Sequence, residues 1–313
     1  MASTERRLDD AARAAWLAYV GGLKQDEIAQ IMGISRQSAQ RLVSQALSAG
    51  LVKVRIDHPI ARCLELARAL RDTYGLDTCE VVPSLHSVED SGLAVSHATG
   101  DHLERWLMRE DPTIIGLGTG RTLRAAVEHL PHLDCPQHRI VSLTGNVTQD
   151  GSTAYYNVLF TIADKVSAPT FPIPLPVIAA SRQERDALLS QKMIRAPRDL
   201  SARTDVRFVG VGSITETAPL VMDGFITRDE QQRLLGKGAA GEIVGYVYDA
   251  AGRLLEDEIN DRVSSADLGP NPGFPTIAAA HGPEKVGAIR AALDGHLVNG
   301  LITDEETAVA LTA

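Results

Sequence analysis

The sequence predicts an α/β protein with a small N-terminal helix-turn-helix domain (winged-helix-like, residues 1–57) and a large, doubly wound, mostly parallel α/β domain (residues 58–313). The first sixty residues contain short helical patterns separated by glycines, whereas the remainder alternates strand-like and helical segments. The length of 313 residues fits a small domain followed by a large one better than a single domain. The charge is also divided between these two parts.

Basic residues are concentrated at the N-terminal end. Residues 1–62 hold nine lysines and arginines against six acids, a local charge of +3, and because the whole chain carries -9 the remainder carries -12. A basic end on an acidic body can approach phosphate groups while the body stays in solution. This charge division is typical of a protein that contacts nucleic acid with its first domain only.

Cysteine spacing and hydropathy indicate a cytoplasmic location. Cys63, Cys79 and Cys135 lie far apart without a CxxC pair, which favours reduced thiols over a disulfide framework. The first sixteen residues include acids and lack the apolar segment of a signal peptide. No apolar run is long enough to span a bilayer, and no His/Cys cluster has metal-ligand spacing. We therefore expect no membrane partner, no metal and no cofactor.

Three helices are predicted in the first fifty residues. The first has apolar residues at three- and four-residue spacing, which we expect to face inward: Leu8, Ala12, Ala15, Trp16 and Tyr19. A short second helix covers Gln25–Met32, and Gly33 can supply the positive φ of a tight turn. Ser35 is a natural N-cap for a third helix over Arg36–Leu47.

The third helix has a polar face suited to reading base edges. We expect its inward residues to be Ala39, Leu42, Val43, Ala46 and Leu47. Arginine can donate two hydrogen bonds to guanine, and glutamine can pair with adenine. The segment Leu51–Ile56 alternates apolar and basic residues, like a small wing able to contact phosphates. The predicted DNA contacts are Ser35, Arg36, Gln37, Ser38, Gln40, Arg41 and Lys53. The alternative is a helix bundle with a solvated face, which the scarcity of acids on that face disfavours.

The larger part alternates strands and helices, which predicts a mostly parallel sheet covered on both faces. The predicted strands are Cys79–Val82, Thr113–Leu117, Arg139–Leu143, Val206–Val211, Ile243–Tyr248, Thr276–Ala280 and Leu301–Ile302. The predicted helices are 60–74, Arg121–Leu130, Thr153–Lys165, Arg228–Leu235, Glu284–Leu293 and Asp304–Leu311. Pro172, Pro174 and Pro176 mark an extended segment that should not be a central strand.

A glycine-rich loop between a strand and a helix is the predicted anion site. In the loop 118–122 the glycines allow close backbone approach, and the following helix presents its N–H groups. A plain tight turn is the alternative. A dinucleotide site is disfavoured because the spacing is G-x-G-x-G. Together with other strand ends, the predicted effector contacts are Gly118, Thr119, Gly120, Arg121, Thr122, Gly145, Asn146, Ser181, Gly212, Ser213, Glu242 and Lys285.

Several segments resemble the SorC family of sugar-responsive regulators. QDEIAQIMGISRQSAQRLVSQALSAGLVKVRI is similar to the helix-turn-helix of that family in order and spacing. The resemblance continues over nearly the whole chain through GLGTGRTL, VGVGSI, GAAGEIVGYVYDAAGR, HGPEKVGAIRAAL and NGLITDEETA. It implies a C-terminal domain of the phosphosugar-isomerase-like type. It also implies a homo-oligomer, a dimer or tetramer, whose DNA affinity is set by an effector.

We therefore expect a DNA-binding transcription regulator controlled by a sugar-type effector, either a sugar phosphate or a free polyol. The first alternative is a phosphosugar-isomerase-like enzyme with a fused DNA-binding domain, in which Glu242 would be a possible base. We expect no catalysis, because no second acid or histidine is tied to Glu242 by a motif. The second alternative is an oligomerising scaffold without a ligand pocket.

Overall fold

The computed structural model describes residues 2–52, 60–85, 87–148, 158–215 and 217–313. The chain divides into two compact units, residues 1–58 and 59–313. Part of the predicted strand Leu51–Ile56, with Lys53, lies outside the described residues, as does the start of the predicted helix Thr153–Lys165.

The first unit is built on three helices: α1 Ala2–Tyr19, α2 Gln25–Met32 and α3 Arg36–Ser48. Ala14, Ile28 and Ala39 meet in its core. Gly33 ends α2 with φ 65°, and the Ser38 N–H donates to Ser35 Oγ at 3.2 Å, so the predicted turn glycine and N-cap are confirmed.

The buried face of α1 differs from the prediction. Ala11, Ala14 and Ala15 are buried, whereas Trp16 and Tyr19 are 60% and 50% exposed. Ala12 is exposed as well, and in α3 the predicted inward residue Leu47 is 44% exposed. The close helix packing of this small unit uses alanines, because large aromatic side chains would hold the helices apart.

The second unit alternates strands and helices along most of its length. Its helices are α4 Ala61–Tyr74, α5 Val88–Leu107, α6 Arg121–His129, α7 Val158–Ala163, α8 Arg182–Leu189, α9 Lys192–Ser201, α10 Pro219–Met222, α11 Arg228–Gly236, α12 Glu258–Arg262, α13 Val286–Asp294 and α14 Glu305–Thr312. Its strands are β1 Thr78–Val82, β2 Ile114–Leu117, β3 Arg139–Val147, β4 Thr170–Pro176, β5 Val206–Gly210, β6 Gly212–Ser213, β7 Ala239–Ile243, β8 Tyr246–Asp249, β9 Thr276–Ala279 and β10 Gly300–Asp304. A short 3-10 turn, Pro283–Lys285, precedes α13.

Seven strands form a parallel sheet in the order β1-β10-β9-β5-β2-β3-β4. Neighbouring residues of one strand belong to different cores: Phe208 and Ile302 pack on one side, and Val209 and Leu301 pack on the other. Side chains of a strand alternate between its faces, so the sheet is covered on both. The predicted doubly wound parallel fold is confirmed.

The sheet order reverses between β2 and β5. From β2 the chain continues to β3 and β4 on one side, then crosses to β5 and continues through β9 and β10 on the other. The loops after β2 and β5 therefore diverge and leave a crevice at the carboxyl ends of these strands.

Two strand predictions need correction. The segment Ile243–Tyr248 is not one strand of the parallel sheet but part of a hairpin, in which β7 pairs antiparallel with β6 and β8. Val244 and Gly245 form its turn with φ values of 48° and 90°, the positive φ pair of a tight hairpin. β3 also continues beyond the predicted end at Leu143 to Val147. The proline segment is strand β4 at the sheet edge, as expected for residues that cannot belong to a central strand.

Candidate functional site

The polar face of α3 is open to solvent. Arg36, Gln37, Gln40 and Arg41 are exposed, while Ser38 is half-buried and shares a 2.9 Å hydroxyl contact with Ser35. The predicted base-reading side chains therefore project from one helix, as a helix in the major groove requires.

Arg36 already has a partner in the free protein. Its Nε lies 3.4 Å from the carboxylate of Asp26, and both side chains are about 70% exposed. An ion pair this exposed contributes little to stability. Breaking it to free Arg36 for a DNA phosphate or base would therefore cost little free energy.

A cavity of about 520 Å³ lies in the second unit. It lies where the sheet order reverses, between the loop that follows β2 and the loop that follows β5. Helix α5, the hairpin residue Glu242 and the segment 281–285 after β9 form other parts of its wall. Ligands of open parallel sheets bind at such crevices.

The loop after β2 places the N-terminus of α6, which has no side-chain cap, at the cavity. Gly120 is the N-cap residue of α6, with φ 123° and no side-chain cap hydrogen bond. Thr119, Arg121 and Thr122 line the cavity around it. The first N–H groups of a helix lack partners within the helix, and together with an arginine they favour an anion.

Gly118 lies behind this loop and not on the cavity wall. Its N–H donates to the Phe208 carbonyl at 2.8 Å. A Cβ placed on Gly118 would lie 3.3 Å from that carbonyl oxygen and 3.4 Å from Val209 Cα. The glycine therefore lets the end of β2 lie directly against β5 and fixes where the loop starts.

Glu242 projects from β7 into the cavity wall. Its Oε2 accepts a hydrogen bond from the Gly245 N–H at 3.0 Å, and its side chain fills the space that any Cβ at Gly212 would need. Burial raises the pKa of the Glu242 carboxyl, and the negative charge of Asp223 raises it further, while the Gly245 hydrogen bond and Lys285 oppose the rise. The other carboxyl oxygen, Oε1, lies against Gly212, and a carboxylate oxygen can accept a hydrogen bond from a ligand hydroxyl.

Lys285 and His281 lie on the segment after β9. Burial lowers the pKa of the Lys285 ammonium, and the charge of Arg121 lowers it further. Burial and the charge of Lys285 likewise lower the pKa of His281. The positive charge of Arg121 therefore disfavours that of Lys285, and an anion bound beside these two side chains would relieve the repulsion.

The structure brings together only part of the predicted effector contacts. Those on the cavity wall are Thr119, Gly120, Arg121, Thr122, Gly212, Glu242 and Lys285. Gly145 and Asn146 instead lie within β3, where the Asn146 side-chain carbonyl accepts the Ile173 N–H at 2.9 Å and joins β3 to β4. Ser181 is the N-cap of α8 and accepts the Glu184 N–H at 3.1 Å.

Ser213 is buried, and its hydroxyl lies 3.3 Å from that of Thr215. It is likewise absent from the described cavity wall.

Sequence reasoning missed four polar residues of the described cavity wall: Ser96, Asp223, His281 and Glu284. Thr144 also lines the cavity, and it was left out of the predicted contacts although it directly follows the predicted strand Arg139–Leu143. Thr144 Oγ1 is buried and has no hydrogen-bond partner within the described part of the chain. His281 could have been found, because it directly follows the predicted strand Thr276–Ala280. Asp223 gave no such signal, since it lies after the short helix α10 and follows no strand.

Comparisons with known proteins agree with both units. The model of a family described as a putative sugar-binding domain matches residues 58–313, and that of sigma-70 region 4 matches residues 7–49. The erythritol catabolism regulatory protein EryD of Brucella abortus is 36% identical over 301 residues, 96% of this chain and 95% of EryD. The transcriptional regulator LsrR of Enterobacter sp. is 31% identical over 318 residues, 100% of this chain and 95% of LsrR.

Among solved structures, the full-length sorbitol operon regulator SorC from Klebsiella pneumoniae matches with a TM-score of 0.71 and 25% identity. The match covers 98% of this chain and 99% of SorC. Among the described residues, no helix is both long and apolar enough to cross a membrane. The chain belongs to the SorC family of transcriptional regulators, with an N-terminal helix-turn-helix and a C-terminal sugar-binding domain.

Proposed function

We propose that this regulator reads double-stranded operator DNA with α3, and that a small phosphorylated sugar or polyol bound in the cavity controls its affinity for that DNA. The observation that carries the proposal is the cavity at the crevice between β2 and β5, with Arg121, Lys285 and the start of α6 on its wall.

The cavity wall offers different chemistry to the two ends of such an effector. A phosphate would accept hydrogen bonds from the N–H groups at the start of α6 and neutralise Arg121 and Lys285. Glu242 would bind hydroxyl groups, as acceptor when ionised and as donor when protonated. A sugar or polyol phosphate has both kinds of group, whereas inorganic phosphate and free polyols have only one.

Erythritol and its phosphate are the first effectors to test. EryD is named for erythritol catabolism, and SorC for the sorbitol operon. Both names refer to linear polyols, which the cavity of about 520 Å³ is large enough to hold.

Binding without turnover is part of the proposal. The raised pKa of Glu242 is a property that a general acid would need. Burial beside Asp223 accounts for it without catalysis, and a regulator needs only occupancy of its site. We further propose a cytoplasmic homo-oligomer, a dimer or tetramer, because operator DNA is cytoplasmic and specific affinity needs two helix-turn-helix units on two half-sites.

The test combines thermal unfolding with DNA binding. Erythritol, erythritol 4-phosphate, sorbitol and sorbitol 6-phosphate are screened by thermal shift, and fluorescence anisotropy follows binding to duplexes selected from a random pool. One of the phosphates should stabilise the protein, by about 2.7 kcal/mol at a hundredfold its Kd, and should change DNA affinity without being consumed. Stabilisation by free polyols alone, or a ligand that leaves DNA affinity unchanged, would contradict the proposal.

A further inference from the structure

An acidic residue lies on the wall of the cavity that is proposed to hold an anion. Asp223 follows α10 directly and is half-buried. It lines the same cavity as Arg121 and Glu242. A carboxylate here is unexpected, because it repels the phosphate that Arg121 and the start of α6 would attract.

Asp223 interacts electrostatically with two other side chains of the cavity wall. Burial raises the pKa of the Asp223 carboxyl, and the positive charge of Arg121 opposes the rise. The charge of Asp223 in turn raises the pKa of Glu242. Asp223 is thus within electrostatic reach of both Arg121 and Glu242.

The backbone around Asp223 is held in place. Leu220, on one side, is buried, and so are Phe225 and Ile226 on the other. All three belong to one core cluster of the second unit. A rearrangement at this position therefore involves the Asp223 side chain, with α10 staying packed.

We propose that Asp223 is an internal counterion of Arg121, which an anionic effector must displace. In the free protein the carboxylate partly neutralises Arg121. When an effector phosphate binds at the start of α6, it replaces Asp223 as the partner of Arg121, and Asp223 turns away. Asp223 thereby lowers affinity for anions in general and sets the effector concentration at which the regulator responds. This inference rests on the proposed function of the cavity as an anion site.

A competing carboxylate at this position would help the cavity to exclude common anions such as inorganic phosphate. Inorganic phosphate gains only the contacts at Arg121 and α6, and these must overcome the competition from Asp223. A phosphorylated polyol gains the hydroxyl contacts at Glu242 as well. The competing carboxylate lowers both affinities by a similar factor, so free phosphate, which makes fewer contacts, falls to low occupancy while the phosphorylated polyol stays bound.

The test uses inorganic phosphate as the probe and full-length protein. Phosphorus NMR titrations at constant ionic strength compare wild type with Asp223→Asn, Asp223→Ala, Arg121→Ala and the double variant Asp223→Asn/Arg121→Ala. Both Asp223 variants should bind phosphate about tenfold more tightly, the effect of removing one nearby like charge. Arg121→Ala should bind phosphate more weakly than wild type. When Arg121→Ala is already present, adding Asp223→Asn should increase phosphate affinity much less than it does in wild type.

Asp229→Asn is the matched control. Asp229 is exposed on α11 and does not line the cavity, so the same change of charge there should leave phosphate affinity unchanged. If Arg121→Ala weakens phosphate binding but neither Asp223 variant strengthens it, the counterion role is wrong and the anion site stands. If Arg121→Ala binds phosphate as wild type does, the anion site itself is wrong, and the counterion role with it.

Discussion

Arg121 is exposed at the start of α6, and we propose that it binds the anionic group of the effector. Arg121→Ala should leave folding and DNA binding intact, because the glycines of the loop remain. Affinity for a phosphorylated effector should fall by about 1.5–3 kcal/mol, the size of a charge-assisted contact. Isothermal calorimetry with the phosphate found in the ligand screen measures this loss.

Arg124→Ala is the control for that experiment. Arg124 lies on the same helix, pairs with Glu128 at 2.9 Å, and does not belong to the cavity wall. It should bind effector as wild type does. Equal affinities for wild type and Arg121→Ala would exclude the loop from the site and leave Glu242 as the centre of a neutral polyol site.

Gln37 and Arg41 are exposed on α3, and we predict that each contacts a base edge. Alanine at either position should weaken operator binding by about 1–3 kcal/mol if the contact is bidentate. Anisotropy with specific and scrambled duplexes measures the change. A double variant that keeps its affinity for the specific duplex would show that α3 is not the reading helix.

Lys53→Ala provides the comparison for these variants. Lys53 lies outside the described residues, and its predicted contact is with phosphate. The change should weaken binding to all duplexes alike and reduce the salt dependence by about one counterion.

Single residues of the cavity were predictable only where they follow a strand or a glycine loop. Lys285 and Glu242 were found in that way, although Glu242 belongs to a hairpin and not to the parallel sheet. Asp223 was not predictable, because it reaches the cavity through the packing of α10 and not through its position in a βα unit.

At the scale of the element, Ser181 is a helix cap. It was predicted as an effector contact because it follows an extended segment, yet its hydroxyl accepts the Glu184 N–H of α8. Ser181→Ala should lower the free energy of unfolding by about 0.5–2 kcal/mol and leave effector affinity unchanged. Urea unfolding measures the first quantity and calorimetry the second. If the folded variant lost affinity for the effector, Ser181 would be an effector contact after all.

Helix α1 and the hairpin show where patterns mislead. The apolar spacing correctly indicated a helix and correctly placed Ala15 in the core, but it also placed Trp16 and Tyr19 there, whereas the buried face runs through Ala11 and Ala14. The run Ile243–Tyr248 read as one strand because Val244 is β-branched. Its positive φ is rare for such a residue, so Val244 gave no sign of a turn, and Gly245 is the local signal that the strand prediction overlooked.

At the scale of the whole molecule, the parallel sheet was predicted well because strand-like and helical segments alternate along the sequence. The apolar centres of strands such as β9, which is buried throughout, made these segments recognisable. The strand order, and with it the place of the cavity, could not be read from the sequence, since it depends on which distant strands pair.

Assembly is a prediction at this scale. The protein should be a dimer or tetramer in solution, because one helix-turn-helix contacts a single half-site. Light scattering at micromolar concentration, with and without selected operator DNA, measures the mass. A monomer of 33.5 kDa under both conditions would contradict the prediction.

The pairing of β1 with β10 also bears on how the chain is made. The contacts around this pair join residues that are about 220 positions apart in the sequence, for example the hydrogen bond from Ser84 to Asp304. The described core of the three helices of the first unit is made of residues within the first fifty or so, and these helices can form early in synthesis. Among the described strands β1 pairs with β10 alone, so it stays unpaired until that late segment has left the ribosome. In a nascent chain α3 can therefore form well before the parallel sheet and its cavity are complete.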